Sequence, residues 1–328
     1  MKLFLRLTAS LAGLAVLSFL GLKLWLGQFL ESPGPLSQPV TLVIPKGSGL
    51  QVIARHLSEA QVVSNPLAFR LGATWLGKAK ALQAGEYAFQ PGMTPKAIMD
   101  RLASGDVVIH SFTLVEGRTV RQLAEELKGE AALDGDFFPL PAEGSLLPET
   151  YNFLLGETRI QLAARMKKAM DEALAQAWAS RAEGLALANP QELLVLASIV
   201  ERETGLEQER PHVAAVFHNR LKKGMRLQSD PTVIYDLSEG LGVLDRPLSK
   251  ADLERATPHN TYVVNRLPPG PIANPGRASL MAVAHPLESD DLYFVADGSG
   301  GHAFSKSLES HNEKVGNWRK VEKNRRKK

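Results

Sequence analysis

Asn189-Pro190-Gln191-Glu192-Leu193-Leu194-Val195-Leu196-Ala197-Ser198-Ile199-Val200-Glu201-Arg202-Glu203-Thr204 decides how this chain is built. Asn-Pro is a helix-start signal: the Asn side chain accepts from free amides of the first turn, and proline fits that turn. The run that follows is apolar on nearly every side, as in a helix enclosed by a core rather than one lying on a surface. Glu201 falls one turn after Ala197 and two turns after Leu194, so it shares their face. A carboxyl desolvated in that way has its charged form disfavoured, which suits a general acid working near neutral pH. Glu203 points to a different side of the helix and has no equal claim to burial. The competing reading of Glu201 is a solvated or ion-paired glutamate near a helix end, with Arg202 or Arg210 as its partner. The helix alone does not choose between them.

A chain of 328 residues suffices for two domains or more, each with its own core. Hydrophobic content of 44%, charged content of 22% and a formal charge of +3 exclude wholesale disorder and give no general nucleic-acid signal. The amino terminus differs from the rest. Lys2 and Arg6 precede an almost unbroken apolar stretch from residue 7 to 22, and Lys23 is followed by Leu24, Trp25, Leu26, Phe29 and Leu30. With Lys23 snorkelling toward the interface, the segment reaches about 20 residues, enough to cross a bilayer. A cleaved signal peptide is the alternative. No small-x-small site follows the run, no cysteine offers a lipidation point, and Trp25 suits an interfacial anchor, so an uncleaved transmembrane signal anchor is expected over 7–30. The positive-inside rule then leaves 1–6 in the cytoplasm and everything after Glu31 outside it. A chain without cysteine fits an exported bacterial protein that folds without disulfides, and fits many cytosolic proteins as well. Substrates in that compartment are wall polymers, lipids, peptides and other exported proteins.

Residues 31–39 form a linker too rich in proline to continue the helix. Beyond it a strand, a glycine turn and an amphipathic helix recur. The three copies run from 40 to 57, from 85 to 102 and from 107 to 127, each a strand, a glycine turn ending in a Ser or Thr suited to capping, and a helix. A further helix over 66–76 adds a packing layer. Residues 40–129 thus read as a small α+β region, either a spacer or a glycan-binding module. From 143 the composition shifts. A long helix within 159–184 carries the stripe Ile160, Leu162, Ala163, Met166, Met170, Leu174 and Trp178, at core spacing rather than cofactor spacing. A helix over 211–223 buries Val213, Val216, Phe217 and Leu221. Polar, turn-rich loops follow at 228–232, 258–262 and 267–276, then a helix near 279–284 and a hairpin turning at Gly298-Ser299-Gly300-Gly301. The basic tail, 320–328, reads as a solvated helix end.

Loops rich in Asn, Gln, Ser, Thr and Tyr suit a neutral, hydroxyl-rich ligand such as a sugar chain. Cleaving a glycosidic bond needs an acid at the leaving oxygen, and Glu201 is the candidate. A hydrolase of the usual kind needs a second carboxylate. Asp230 is the best one in sequence, with a turn aspartate that caps backbone amides as its alternative. There is no His-Glu-x-x-His, and Glu209 with His212 lacks a second ligand pair, so no metal is expected. There is no Gly-x-Ser-x-Gly elbow, cysteine nucleophile or Walker loop, and no cofactor is expected.

Several long motifs occur together: 197–204, 224–235 (Gly-Met-Arg-Leu-Gln-Ser-Asp-Pro-Thr-Val-Ile-Tyr), Asn260-Thr261-Tyr262, 267–272 (Leu-Pro-Pro-Gly-Pro-Ile), and Tyr293-Phe294-Val295 with Gly301-His302 and Phe304-Ser305. With Glu143-Gly144-Ser145-Leu146-Leu147-Pro148-Glu149-Thr150-Tyr151, they resemble the bacterial YceG-like family of endolytic murein transglycosylases, Glu149 standing where an aspartate is common. The resemblance covers nearly the whole chain. It implies an α+β fold: a single transmembrane anchor, a LysM-like subdomain over 40–129, and a mixed α/β catalytic domain over 143–319 with a buried catalytic helix. It further implies a lyase that cuts nascent peptidoglycan between N-acetylmuramic acid and N-acetylglucosamine, leaves 1,6-anhydromuramic ends and so terminates strand elongation. In that chemistry one glutamate, Glu201, acts first as acid and then as base toward the sugar's own C6 hydroxyl, so a second carboxylate is not required. Gln228, Ser229, Asp230, Thr232, Tyr235, Asn260 and Tyr262 are expected to line the cleft. The expected partners are glycan strands, the inner membrane and peptidoglycan synthases, and not nucleic acid. A non-enzymatic peptidoglycan-binding scaffold and a muramidase using Glu201 with Asp230 are the rival functions.

Overall fold

The computed structural model describes residues 1–325 and divides into two compact units. The first comprises Met1–His110 with Leu154–Gly156. Its α1 (Lys2–Glu31) is one continuous helix, and over Arg6–Glu31 it is long and apolar enough to cross a membrane. Most of α1 is exposed, but Leu26 and Leu30 are buried in the core of this unit. Then come β1 (Val40–Ile44), α2 (Leu50–Glu59), α3 (Pro66–Trp75), β2 (Gly85–Phe89) and α4 (Pro95–Ser104). β1 and β2 pair antiparallel from Val40↔Phe89 to Ile44↔Gly85, so the unit is built on a β-α-α-β arrangement. Local chemistry starts and stops its helices. Asn65 accepts from the amides of Leu67 and Ala68 ahead of α3, Thr94 accepts from Ala97 at the start of α4, and Gly105 closes α4 at φ 70. Ile44, Leu57, Phe69, Tyr87, Phe89 and Met99 fill the core.

The second unit comprises Ser111–Phe153 and everything from Glu157 on. It contains most of β3 (His110–Thr113), then α5 (Val120–Lys128), β4 (Leu133–Asp134), β5 (Thr150–Phe153) and β6 (Glu157–Thr158). Helices α6 (Arg159–Ser180), α7 (Pro190–Glu203), α8 (Arg210–Lys222), α9 (Asp230–Leu237), α10 (Lys250–Glu254) and α11 (Arg277–Ala284) follow. The hairpin β7 (Tyr293–Ala296) and β8 (His302–Ser305) and the helix α12 (Leu308–Arg325) complete it. The sheets among the described residues have two strands each: β3 with β5, β4 parallel to β6, and β7 antiparallel to β8 in this unit. The expected mixed α/β domain is therefore a helical core edged by short strand pairs. α7 sits inside it, packed on α6, α8, α9 and α11, with Leu193, Leu196, Ala197, Ile199 and Val200 wholly covered.

The expected boundary near residue 129 and the structural one do not coincide. α5 belongs to the second unit because its Leu123 and Leu127 share a core with Leu162 and Met166 of α6. The third strand–turn–helix copy is thus separated from the first two. Arg159 reinforces this corner, donating to the backbone oxygens of Leu127, Glu130, Leu133 and Gly135. Most of the basic tail expected over 320–328 continues α12, and its last three residues lie outside the described residues.

Candidate active site around Glu201

α7 begins where Asn189 accepts from the amide of Glu192, and its eight residues from Leu193 to Val200 are all buried. Glu201 follows, with its side chain only 3% exposed. One carboxyl oxygen accepts from Arg210 Nη2 at 3.1 Å, and the other accepts from the backbone N–H of Gly276 at 2.8 Å. Both readings of this residue therefore hold at once: the carboxylate is enclosed, and it is paired. A bare buried charge would be costly, whereas a guanidinium and an oriented amide compensate it. Arg210, at the start of α8, also reaches Glu116 at 3.2 Å. Burial and then the neighbouring Glu201 carboxylate raise the pKa of Glu116, and Arg210 opposes them. Gly276 makes room for this cluster, since a Cβ there would lie 1.9 Å from Glu116 Oε1.

Residues 271–276 form a wholly buried loop, whose backbone groups must find partners inside the protein. Ile272 N–H donates to Ser198 Oγ at 3.0 Å, three residues before Glu201 on α7. Asn274 N–H donates to Arg118 O, and Asn274 O accepts from Gly117 N–H, both at 2.9 Å. The Asn274 side chain accepts from Leu146 N–H at 3.0 Å and donates to Arg118 O at 2.9 Å. The proline-stiffened loop is thus stapled to α7 at both Ser198 and Glu201 and to the turn that carries Glu116. Arg202 ties the helix end to the same turn by donating to Gly117 O at 3.2 Å and to Gly242 O at 2.9 Å.

Glu203 corrects the expectation drawn from helix geometry. Its carboxyl is enclosed by the loop that opens α9 and accepts from the Ser229 hydroxyl. Burial is the largest cause lifting its pKa to about 7; the Ser229 bond opposes this, and the charge of Asp230 adds to it. A helix end exposes its outward face only where no neighbouring segment covers it, and here one does.

The expected cleft residues separate into groups. Ser229, Thr232 and Asn260 are buried, and their polar groups hold the loops together. The amide of Ser229 donates to Thr261 Oγ1 at 2.9 Å, Thr232 Oγ1 donates to Ser229 O at 2.6 Å, and Asn260 Nδ2 donates to Arg255 O at 2.7 Å. Gln228 is exposed and adopts φ 51, an uncommon conformation for a residue with a side chain. Asp230 is exposed and accepts from the Tyr262 hydroxyl at 2.6 Å, while Tyr262 is half-buried. Tyr235 faces elsewhere, its hydroxyl 3.3 Å from Glu143. Burial raises the pKa of Glu143 to about 7, against the lowering effect of the Val120 and Gly144 amides and the Tyr235 hydroxyl. No His, Asp and Glu grouping able to hold a metal occurs among the described residues.

Glu116, Gly276 and Glu143 are candidate site residues that the sequence reading did not single out, and Glu203 is one that it set aside. Glu116 stands in a strand–helix turn whose Thr119 explains the local pattern as a helix cap, and Gly276 stands in a run of turn residues. Nothing local marks either as a neighbour of Glu201. Glu143 does open one of the recognisable motifs, and that was its available signal.

Comparison with known proteins gives the family. The profile of the YceG-like family matches residues 42–317. The endolytic murein transglycosylase of Bacillus subtilis (strain 168) is 33% identical over 304 residues, an alignment spanning 83% of each protein. A protein of the same name from Streptococcus pneumoniae (strain D39) is 29% identical, over 93% of this chain and 63% of its own length. A crystal structure of a YceG-like protein from Listeria monocytogenes superposes with a TM-score of 0.54 at 31% identity, covering 85% of this chain and 99% of that one. A profile match over most of the sequence, relatives aligned along most of its length and a shared fold lead to one statement: the chain belongs to the YceG-like family.

Proposed function

We propose that the protein is an endolytic murein transglycosylase in which Glu201 is the catalytic residue. The observation that carries this is one enclosed carboxyl whose two oxygens are held by Arg210 and by the Gly276 amide. The names of the Bacillus and Streptococcus relatives support the substrate and the reaction class.

That geometry supports the following reaction. Protonated Glu201 gives its proton to the glycosidic oxygen as the bond from C1 of N-acetylmuramic acid breaks. The carboxylate left behind is stabilised in place by the Arg210 guanidinium and the Gly276 N–H, with no reorganisation required. It then takes the proton of the C6 hydroxyl as that oxygen closes on C1, which forms the 1,6-anhydro ring and returns the proton to Glu201. No water is consumed and no second carboxylate is used. Arg210 is held in position by Glu116 at the same time. Asp230, exposed and bound by Tyr262, suits sugar positioning better than nucleophilic attack, and this favours the lyase over the muramidase. Gln228, Asp230 and Tyr262 contact the glycan in this reading. Ser229, Thr232 and Asn260 shape the loop beneath it.

The β-α-α-β arrangement of the first unit supports a LysM-like, glycan-binding role for it. The length and composition of α1 support a single-pass anchor in the cytoplasmic membrane, with the amino terminus inside and both units outside. That placement puts the enzyme beside newly made strands and the synthases that extend them.

Glu201→Gln assayed on purified glycan strands, with products weighed by mass spectrometry, tests the proposal. Wild-type products lighter by one water than hydrolysis products, with cleavage falling at least ~100-fold in the variant, is the expected result. Unchanged cleavage removes Glu201 from its role. Products with reducing ends would favour the muramidase, and a wild type that cuts nothing would favour the scaffold.

A further inference from the structure

The first unit presents an apolar surface where a soluble domain should be polar. α3 buries Ala68, Phe69, Gly72 and Ala73 on its inner face. Its outer face carries Leu67, Leu71 and Trp75, exposed by 58%, 40% and 49%. Water-facing helix surfaces are normally charged, and a contiguous apolar patch marks a contact.

The occupant of this patch is indicated by what lies beside it. The helices α1 and α3 pack together, with Leu30 of α1 against Gly72 of α3, where an added Cβ would stand 2.7 Å from Leu30 Cδ2. Farther along α1, Phe19, Leu22, Lys23 and Leu26 form one wall of a groove of about 330 Å³, and Leu71, Thr74 and Trp75 form the other. A hydrocarbon core takes about 20 residues of helix. A span that begins after Arg6 therefore has to include Phe19 and Leu22. The end of α3 shares that groove with residues that an anchoring α1 would hold inside the bilayer, which puts it at membrane depth. Trp75 matches the amphipathic ring found at bilayer interfaces, and Lys23, which lines the groove, has the reach to place its ammonium among phosphates.

We propose that α3 lies in the interface of the leaflet adjoining the two units, with Leu67, Leu71 and Trp75 among headgroups and upper acyl chains and a lipid chain in the α1–α3 groove. This rests on the reading of α1 as a membrane anchor. Because Leu26 and Leu30 belong to the core of the first unit, that unit is then held against the membrane and does not swing from a tether. It follows that the first unit can present a glycan strand only close to its membrane-attached end.

The sequence contains no cysteine, so single spin labels can be placed without removing any native residue. Full-length Leu71→Cys, Leu22→Cys and Glu254→Cys are labelled, reconstituted in phosphatidylethanolamine–phosphatidylglycerol vesicles and compared for collision with oxygen and with a water-soluble nickel chelate. The expected result is an oxygen-to-nickel ratio at Leu71 close to that at Leu22 and several-fold above that at Glu254. A nickel-accessible Leu71 beside a lipid-embedded Leu22 overturns the proposal and leaves the anchor standing. A Leu71 label shielded from both colliders means a protein partner, a second copy included, and also overturns it. A nickel-accessible Leu22 defeats the anchor reading itself and the proposal with it.

Discussion

Glu203→Gln is expected to gain stability over the wild type as pH rises. The carboxyl keeps its proton in the folded protein up to about 7, whereas in the unfolded chain it titrates at its ordinary 4.5. Between those values the folded state binds more protons than the unfolded one, so raising the pH destabilises the fold. The contribution is fully present below 4.5 and is lost as pH passes through 7. At about 1.36 kcal/mol per pH unit, the interval from 4.5 to about 7 amounts to about 3 kcal/mol. Glutamine carries no charge at any pH, and its amide oxygen can accept the Ser229 hydroxyl in the same place. Glu143, with its pKa also near 7, titrates in both proteins and cancels in the difference. Denaturant unfolding of the full chain in detergent micelles, followed by tryptophan fluorescence from about pH 4 to about pH 8, measures the effect. The variant's advantage should widen by about 3 kcal/mol across that range and flatten above it. Stability curves that run parallel would mean that Glu203 ionises near its ordinary value when folded, and the account of its enclosure would be wrong.

Arg210→Ala leaves Glu201 buried without its charge partner and should cost about 3–5 kcal/mol in the same unfolding measurement, with Arg210→Lys losing less. Ser198→Ala strands the Ile272 amide and should cost about 1–3 kcal/mol, with a fall in glycan cleavage as the loop carrying Gly276 loosens. Gly276→Ala drives a methyl into the Glu116 carboxyl; kcat/KM for glycan cleavage should fall while the melting temperature changes little, because the displaced group is an exposed side chain. Phe217→Ala opens a cavity beside α7 and should cost about 3–5 kcal/mol, read as a lower denaturant midpoint.

The sequence made the helix of the site legible because its signals are local. Asn189 and Pro190 mark the start of α7, and the apolar run before Glu201 shows the burial that the structure bears out. The second strand–turn–helix copy was legible for the same reason, its helix started by the adjacent Thr94. What was not legible depends on segments distant in the chain. Arg210 could be named as a partner for Glu201, but its sharing with Glu116, 94 residues away, arises only from the fold. The enclosure of Glu203 comes from a loop 26 residues later. Ser229, Thr232 and Asn260 looked like ligand-binding groups because polar residues in turns look alike, whether they face a sugar or the backbone beside them. The division after His110 was hidden because an amphipathic helix such as α5 shows that it has a core face without showing which core receives it.

The stapling of residues 271–276 to α7 makes the length of that loop a fixed quantity. The two attachment points on the helix stand three residues apart, at a spacing of about 4.5 Å, and Ile272 and Gly276 must meet them together. One inserted residue can add about 3.5 Å of chain, far more than either hydrogen bond can absorb. An insertion scan should therefore find this stretch intolerant of any change in length, even where it accepts a change of side chain. At Gly300, in the β7–β8 turn, an added Cβ would meet nothing within 4 Å, and the same scan should find that extra residues or a peptide tag there leave the contacts of Glu201 undisturbed.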